Sequence, residues 1–394
     1  MHRRRLRLGT TAALLALVVG ATGSGAQTSP IVVPAKFDAQ GFVQFLIPVT
    51  VNGERFWCSL DSGGSWVFSM DAERARRAGL QPNSSGSIAG AGPEVRRDQR
   101  VTGVTAAIGP LQLPNLTIVM VPLPAVAPDM ECVFGLGILQ DYIAQFDYRR
   151  PELRLFSRDA FQPSPRAVAV PFEIDRFRNP FMTTTVRLQG DDTATARLML
   201  DTGASYYSVV FADSFARTHG IRDRLRHVVP QASHTPGLRL SAARVDALRV
   251  GPFEPRLTIA ALLDTPSAGL IHDGMIGAGF FRNFVVTFDY GGRQMWLEPL
   301  APIPDRQTFD ASGLDVTHAP GGRYRVHEVL PESPAAGADV RAGDLLVSID
   351  DQHARELTIR EIKDQLSRGG ATVRLTLERN GAEHRVTLTL KELL

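Results

Sequence analysis

Hydrophobic and polar positions along most of this chain follow the patterns of β-strands. Residues 42–50 are mostly apolar and rich in strand-forming types, and residues 182–188 and 238–250 alternate apolar with polar positions. Alternation of this kind is typical of a strand with one buried face. Pro48 lies inside the first run, so we expect a sheet edge or a bulge there. Glycine and proline interrupt the runs at short intervals, and the pattern predicts a mainly β protein.

The strand pattern belongs to a unit that occurs twice. Residues 133–137 (VFGLG) and a following Phe-Asp-Tyr match residues 275–279 (MIGAG) and their own Phe-Asp-Tyr. In both copies the first glycine of the motif precedes the aspartate by twelve residues. We therefore predict two homologous domains of ordinary size, at residues 32–160 and 168–300, joined by a proline-containing linker.

The remaining part, residues 305–394, has a different pattern. A helix is predicted at residues 358–366, and two alternating strands follow at residues 373–378 and 384–390. This part is predicted to be a third, α+β domain.

The charge of the chain depends on position. The formal net charge is +2 with a pI near 8.7, but residues 1–26 hold four arginines and no acids, so the rest of the chain has a net charge of about −2. Arginines followed by a short apolar run and small residues are typical of a secretory signal peptide. The run is too short for a membrane helix of about 20 residues. We expect a periplasmic or secreted protein with no stable membrane span and no nucleic-acid partner.

Two short triplets supply the candidate chemistry. Each copy has an aspartate, a hydroxyl residue and a glycine directly after an apolar strand: Asp61, Ser62 and Gly63 in the first, Asp201, Thr202 and Gly203 in the second. One such triplet alone is typical of a capped turn. Duplication can bring two carboxyl groups to about 3 Å, where they cannot both ionise and share one proton. One then acts as a base on water while its protonated partner polarises a carbonyl.

These motifs resemble those of the aspartic protease clan, with two retropepsin-like lobes in tandem as in bacterial periplasmic aspartyl proteases. The resemblance covers about residues 36–298. In that family a strand of two hydrophobic residues and a glycine, here residues 133–135 and 275–277, packs the aspartate loop. The resemblance implies that Asp61 and Asp201 are the catalytic pair, supported by the hydroxyl and glycine residues that follow them. It also implies polypeptide substrates and no cofactor.

Two features depart from the pepsin pattern. Gly64 and Ala204 stand where pepsin-like enzymes have a hydroxyl residue. Because a donor to the carboxylate is lost, we expect a less acidic pair and an activity maximum above about pH 3. That limit lies between the two pKa values of the pepsin pair, roughly 1.5 and 4.7. The second departure is the flap, the hairpin over the substrate, which lacks the pepsin tyrosine. We assign its tip to Ile88, Ala89, Gly90, Ala91 and Gly92 and, because residues 231–237 are less flap-like, expect one working flap.

The C-terminal domain resembles a bacterial PDZ domain. Residues 333–335 (SPA) begin a short helix and residues 343–344 (GD) turn into a strand, as in that family. PDZ domains add a peptide to a sheet edge and hold its C-terminal carboxylate with backbone N–H groups, for which residues 313–316 are the candidates. The resemblance implies a C-terminal peptide ligand. The alternative is a degenerate domain that only packs against the lobes.

Two cysteines, Cys58 and Cys132, are the only ones in the chain. They lie three residues before Asp61 and Gly135, on strands that the family packs together. A disulfide bond in an oxidising compartment and two buried free thiols are both open. Two thiols without a histidine cluster make a poor zinc site, so we expect no metal ion.

We therefore expect an exported, monomeric aspartic endopeptidase whose PDZ domain selects or presents substrate. The main alternative is a catalytically inactive peptide-binding protein on the same scaffold. A third hypothesis keeps the protease but assembles the dyad between two chains. The presence of both aspartates favours catalysis, because a decayed site is free to lose either one.

Overall fold

The structure is a computed structural model that describes residues 29–38, 44–64, 66–90, 92–123, 129–204, 206–233 and 235–394. The predicted signal peptide at residues 1–26 and the first two residues of the predicted strand at 42–50 lie outside this part of the chain. No helix in the described part is long and apolar enough to cross a lipid bilayer.

The first lobe consists mainly of strands. They are β1 (Ile31–Pro34), β2 (Lys36–Phe37), β3 (Phe45–Val51), β4 (Glu54–Asp61), β5 (Phe68–Asp71), β6 (Ser84–Ala89), β7 (Val95–Ile108), β8 (Leu111–Val121), β9 (Cys132–Gly135), β10 (Ile143–Asp147) and β11 (Glu152–Phe156), with helix α1 (Ala72–Arg77) and a 3-10 turn (Leu136–Leu139).

The second lobe repeats this arrangement. Its strands are β12 (Val168–Pro171), β13 (Glu173–Ile174), β14 (Pro180–Gln189), β15 (Asp192–Leu200), β16 (Val209–Phe211), β17 (Val228–Gln231), β18 (Leu240–Leu248), β19 (Arg256–Leu263), β20 (Gly274–Ile276), β21 (Phe284–Asp289) and β22 (Gln294–Pro299), with helices α2 (Asp213–Thr218) and α3 (Ala278–Phe281) and a 3-10 turn (Arg222–Arg224).

The C-terminal domain is smaller and mixed. It contains β23 (Leu314–Ala319), β24 (Arg323–Val329), α4 (Pro334–Gly337), β25 (Leu345–Ile349), β26 (Gln352–His353), a 3-10 turn (Ala354–Glu356), α5 (Ile359–Leu366), β27 (Thr372–Arg379) and β28 (Ala382–Thr389).

Local sequence accounts for several element ends. Asn52 and Gly53 have positive φ angles of 49° and 83° between β3 and β4, as a tight hairpin turn requires. Helix α5 begins with a capping box, in which the Thr358 side chain accepts from the Glu361 N–H and the Glu361 side chain accepts from the Thr358 N–H. Pro48 lies in β3 between the segments that pair with β2 and β7, so its missing N–H breaks no ladder there.

The two lobes have the same sheet topology within the described residues. The order is β2-β3-β4-β9-β5-β8-β7-β6 in the first and β13-β14-β15-β20-β16-β19-β18-β17 in the second. Extra pairings between β3 and β7 and between β14 and β18 close each sheet into a barrel-like lobe. The internal repeat of the sequence is therefore a repeat of structure.

A third sheet joins the lobes in the order β1-β11-β10-β21-β22-β12. Its two central strands are antiparallel, with Phe146 opposite Val286, and the rings of Phe146 and Phe288 are 6.1 Å apart. Corresponding strands meet at this centre, so the pseudo-twofold axis passes between them. The Phe-Asp-Tyr repeats lie at the ends of these two strands. Asp147 accepts hydrogen bonds from the N–H groups of Arg149 and Arg150 and so stabilises the turn that follows β10.

The C-terminal domain has its own core and also packs on the second lobe. Its sheet order is β23-β24-β25-β27-β28, with β26 paired to β25. Phe309, only 8% exposed, packs with Ala242 and Ile259 of the second lobe and with Leu393 and Leu394. The domain is therefore in contact with the lobe that carries Asp201.

Candidate active site

The two aspartates stand at equivalent strand ends. Asp61 ends β4, which runs parallel to β9 with Asp61 opposite Gly135. Asp201 follows β15, and its N–H donates to the carbonyl oxygen of Ile276 at 2.9 Å. The hydrophobic-hydrophobic-glycine motifs thus hold both aspartate loops.

Ser62 and Thr202 connect the loops. The Ser62 Oγ donates to the carbonyl oxygen of Leu200 at 2.7 Å, and the Thr202 Oγ1 donates to that of Leu60 at 2.9 Å. Each hydroxyl therefore reaches the strand of the opposite lobe.

Close approach of the loops requires the two glycines. A Cβ on Gly63 would lie 2.5 Å from the carboxyl carbon of Asp201, and a Cβ on Gly203 would lie 2.7 Å from that of Asp61. No side chain fits at either position without displacing a carboxyl group. The carboxyl groups of Asp61 and Asp201 lie close enough for each to change the pKa of the other.

Backbone amides bind the carboxyl groups where pepsin-like enzymes add a hydroxyl. The N–H of Gly64 donates to Asp61 Oδ1 at 2.9 Å. Asp201 Oδ1 accepts from the N–H groups of Gly203 at 2.8 Å and Ala204 at 3.0 Å. One oxygen of each carboxyl group is therefore anchored by the backbone of its own loop.

Burial raises the pKa of both carboxyl groups. The pKa of Asp201 is raised well above its ordinary value, first by burial and then by the charge of Asp61. Burial also raises the pKa of Asp61, opposed by hydrogen bonds from the Gly64 amide and from Asp201. The two carboxyl groups therefore favour a state in which the pair keeps one proton.

Comparisons with known proteins agree with this geometry. The family profile described as aspartyl protease matches residues 47–139 and 184–280, one segment in each lobe. The profile described as PDZ domain matches residues 325–379. The lobes belong to the aspartyl protease family, and the C-terminal domain is a PDZ domain.

No curated protein matches the chain. The crystal structure of basic 7S globulin from soybean is similar at 10% identity and a TM-score of 0.42, over 69% of this chain and 95% of that one.

Each aspartyl protease lobe has a hairpin at the position of a flap, and the expectation that only the first one works as a flap stays a prediction. Strands β6 and β7 form the first, and β17 and β18 form the second, paired from Val228 opposite Ala243 to Gln231 opposite Leu240. A Cβ on Gly237 would lie 3.2 Å from the Pro93 side chain, so the two tips adjoin. The second hairpin forms because β17 pairs with β18, and the composition of residues 231–237 alone does not predict that pairing.

The first flap is hydrogen-bonded to the second lobe. The N–H of Ala268 donates to the carbonyl oxygen of Gly92, and the N–H of Gly269 donates to that of Gly90, both at 2.9 Å. Ala89 lies beside Gly269, Ile88 pairs with Arg96 in the hairpin, and Ala91 is outside the described residues. Nothing in the sequence around residues 267–269 signals this contact.

Trp66, near the first aspartate loop, is 42% exposed, with the Arg178 guanidinium over its ring at 5.4 Å. A side chain this exposed does not fill the core of the lobe. Arg178 itself belongs to the second lobe, and its guanidinium donates to Gln140 of the first at 2.6 Å.

The candidate carboxylate loop of the PDZ domain already has internal acceptors. The N–H groups of Ser312 and Gly313 donate to the carboxyl group of Asp310 at 3.2 and 2.5 Å, and that of Leu314 donates to the Ser312 Oγ at 3.0 Å. Burial raises the pKa of Asp310 to about 6. A ligand carboxylate at this loop has to compete with these groups.

The cysteines form a disulfide bond in the structure. Cys58 and Cys132 are directly opposite each other on the parallel strands β4 and β9, with Cα atoms 4.3 Å apart. The bond joins the strand that ends in Asp61 to the strand that packs its loop. Among the described residues, no group of three or more His, Cys, Asp or Glu side chains is arranged to hold a metal ion.

Proposed function

We propose that the protein is an aspartic endopeptidase that hydrolyses peptide bonds with the paired carboxyl groups of Asp61 and Asp201. The observation that carries the proposal is the mutual contact of the two aspartate loops, each carboxyl group lying against the glycine of the other lobe. Two isolated turns do not produce that symmetry. The raised pKa of both carboxyl groups supports a pair that shares one proton.

The proposed mechanism assigns different tasks to the two aspartates. Ionised Asp61 takes a proton from a water molecule, and protonated Asp201 hydrogen-bonds the carbonyl oxygen of the scissile peptide. Attack of the water oxygen on the carbonyl carbon, with transfer of the Asp201 proton to the carbonyl oxygen, gives a tetrahedral diol. Asp61 then gives its proton to the leaving nitrogen and the C–N bond breaks, while Asp201 takes a proton back from a diol hydroxyl. Water has thus added OH to the new carboxyl group and H to the new amine.

Cleavage of an unstructured protein by the purified chain tests the proposal. Wild type should cleave, and Asp61→Asn and Asp201→Asn should each abolish cleavage. Asp191→Asn, which changes an exposed aspartate in the turn between β14 and β15, is the matched control and should keep wild-type activity. Equal behaviour of all four proteins contradicts the catalytic assignment. Binding of the unfolded protein without cleavage identifies the alternative, a peptide-binding protein on this scaffold.

We further propose that the PDZ domain binds a peptide along β23, one of the two end strands of the sheet order β23-β24-β25-β27-β28 in the described residues. Strand addition uses main-chain groups and does not need a free carboxylate. Because Asp310 and Ser312 already accept the loop N–H groups, the ligand carboxylate contributes little. Short peptides with free and with amidated C termini should therefore bind with similar affinity. Strong preference for the free terminus contradicts this mode.

Export of the protein is also a proposal. It rests on the arginine-rich and apolar order of residues 1–26 and on the cysteine pair, which forms a bond only in an oxidising compartment. Expression in a bacterium with fractionation should recover a shortened chain outside the cytoplasm. A full-length chain in the cytoplasm contradicts export.

A further inference from the structure

The loop that follows Asp201 is one residue longer than the loop that follows Asp61. Strand β5 begins seven residues after Asp61, whereas β16 begins eight residues after Asp201. The two strands correspond because their first residues, Phe68 and Val209, pair with the middle residues of the two hydrophobic-hydrophobic-glycine motifs. The extra residue in the second loop therefore has no counterpart in the first.

The backbone accommodates this extra residue through an unusual conformation at Tyr206. Its φ angle is +57°, a region that non-glycine residues rarely adopt because it costs free energy. A residue in this conformation persists only when its surroundings hold it there. The structure supplies such support from outside the lobe.

Gln307, in the segment that leads into the PDZ domain, provides the support. Its Nε2 donates to the carbonyl oxygen of Tyr206 at 3.0 Å. Its Oε1 accepts from the Ser208 Oγ at 2.8 Å and from the N–H of Ile259 at 2.9 Å. The side chain is 8% exposed, so these bonds are shielded from water.

The position of Gln307 is fixed from both sides. Its N–H donates to the carbonyl oxygen of Leu257 at 3.2 Å, and its own carbonyl oxygen accepts from Arg244 at 2.9 Å. The carbonyl oxygen of the next residue, Thr308, accepts a hydrogen bond from the Tyr206 hydroxyl at 3.0 Å. Gln307 is thus held on the second lobe beside the second aspartate loop, two residues before Phe309, which packs with Leu393 and Leu394.

The connection continues to the carboxyl group of Asp201. Ala204, two residues before Tyr206, donates its N–H to Asp201 Oδ1, while its carbonyl oxygen accepts from Ala278 at 2.7 Å. A shift of Tyr206 therefore moves the amide that anchors Asp201. At the corresponding place in the first loop, Trp66 is 42% exposed and lies under the Arg178 guanidinium, whereas Tyr206 contacts Gln307 and Thr308.

We propose that Gln307 is a positioning residue for Asp201, and that attachment of the PDZ domain through Gln307 completes the second half of the active site. The proposal rests on the proposed protease function. It assigns the PDZ domain a role in the geometry of catalysis besides peptide binding.

Kinetics of Gln307→Leu and Gln307→Glu in the full chain test the proposal. In Gln307→Leu, kcat should fall about 10- to 100-fold with a much smaller change in KM, because the carboxyl pair is displaced while the cleft remains. The alkaline limb of the pH profile should move to higher pH, because a weaker Ala204 hydrogen bond raises the Asp201 pKa further. In Gln307→Glu, activity relative to wild type should recover as the pH falls, since a protonated carboxyl group can again donate to Tyr206. Gln352→Leu, at an exposed glutamine of the same domain, should match wild type.

Amide hydrogen exchange supplies a readout that does not depend on catalysis. Exchange at residues 206–208 should be about tenfold faster in Gln307→Leu than in wild type. Unchanged kcat, or a fall in kcat with unchanged exchange at these residues, overturns the positioning role. If wild type cleaves nothing but Gln307→Leu still exchanges faster at residues 206–208, the contact is supported and the protease function is contradicted. The two failures are therefore distinguishable.

Discussion

Ser62 and Thr202 exchange backbone hydrogen bonds across the boundary between the lobes: the N–H of Ser62 donates to Thr202 Oγ1 at 3.0 Å, and the N–H of Thr202 donates to Ser62 Oγ at 2.9 Å. Both residues are fully buried. The two hydroxyl groups also donate to the carbonyl oxygens of the opposite strands, so the N–H and the hydroxyl group of both residues are hydrogen-bonded. Because each residue directly follows an aspartate, the exchange sets the separation of Asp61 and Asp201.

Thr202→Ala should destabilise the protein by about 2–4 kcal/mol. The substitution leaves the buried N–H of Ser62 and the carbonyl oxygen of Leu60 without partners, and each costs roughly 1–3 kcal/mol. Urea unfolding measures the change. Thr202→Ser keeps the hydroxyl and loses one methyl group, so it should cost about 1 kcal/mol. Equal stability of the two variants contradicts a role for the hydroxyl.

Asp201→Asn should be more stable than wild type at neutral pH. The folded-state pKa of Asp201 is raised, so the folded chain binds the proton more tightly than the unfolded chain does. Wild-type stability is therefore lost as the pH rises from the ordinary value of about 3.9 through the folded-state pKa, by about 1.4 kcal/mol for each unit of difference. The advantage of the variant should vanish below about pH 3.9. Thermal unfolding at several pH values, with Asp191→Asn as control, checks this, and a pH-independent advantage contradicts it.

Peptidase activity should follow a bell-shaped pH profile with a mildly acidic maximum. Activity requires one ionised and one protonated carboxyl group, and burial raises the pKa of both. Rates should fall on the acid side as Asp61 is protonated and on the alkaline side as Asp201 ionises. Initial rates on an unstructured protein measure the profile. A maximum below about pH 3 contradicts the prediction, since that lies in the range of the pepsin pair at roughly 1.5 and 4.7.

Reduction of the bond between Cys58 and Cys132 should lower the free energy of unfolding by about 4 kcal/mol, the chain-entropy value for a loop of this length. The cysteines are 74 residues apart in the sequence. Unfolding with and without reductant measures the effect, and Cys58→Ala with Cys132→Ala should reproduce it. Intact-mass analysis that finds two free thiols in exported protein contradicts the bond.

Much of the fold and of the candidate site follows from local sequence, and the remainder depends on distant contacts. The repeat identified the duplicated lobes, and the two triplets identified the residues that the structure brings together. The sheet that joins the lobes was not predicted, because pairing of β10 with β21 involves strands about 140 residues apart. Gln307 was also missed. A single glutamine in a linker has no pattern, and its role appears only when Tyr206 is placed against it.

Gly63→Ala should lower cleavage at least about 100-fold, because the added Cβ would occupy a position 2.5 Å from the Asp201 carboxyl carbon and displace that group. Overpacking should also cost about 1–3 kcal/mol of stability. Gly337→Ala is the matched control: its Cβ meets no atom within 4 Å, in helix α4 of the PDZ domain, and it should keep wild-type activity. Assays are made at a temperature where both variants remain folded by circular dichroism. If Gly63→Ala cleaves as fast as Gly337→Ala, the two carboxyl groups do not work at the separation that this structure shows.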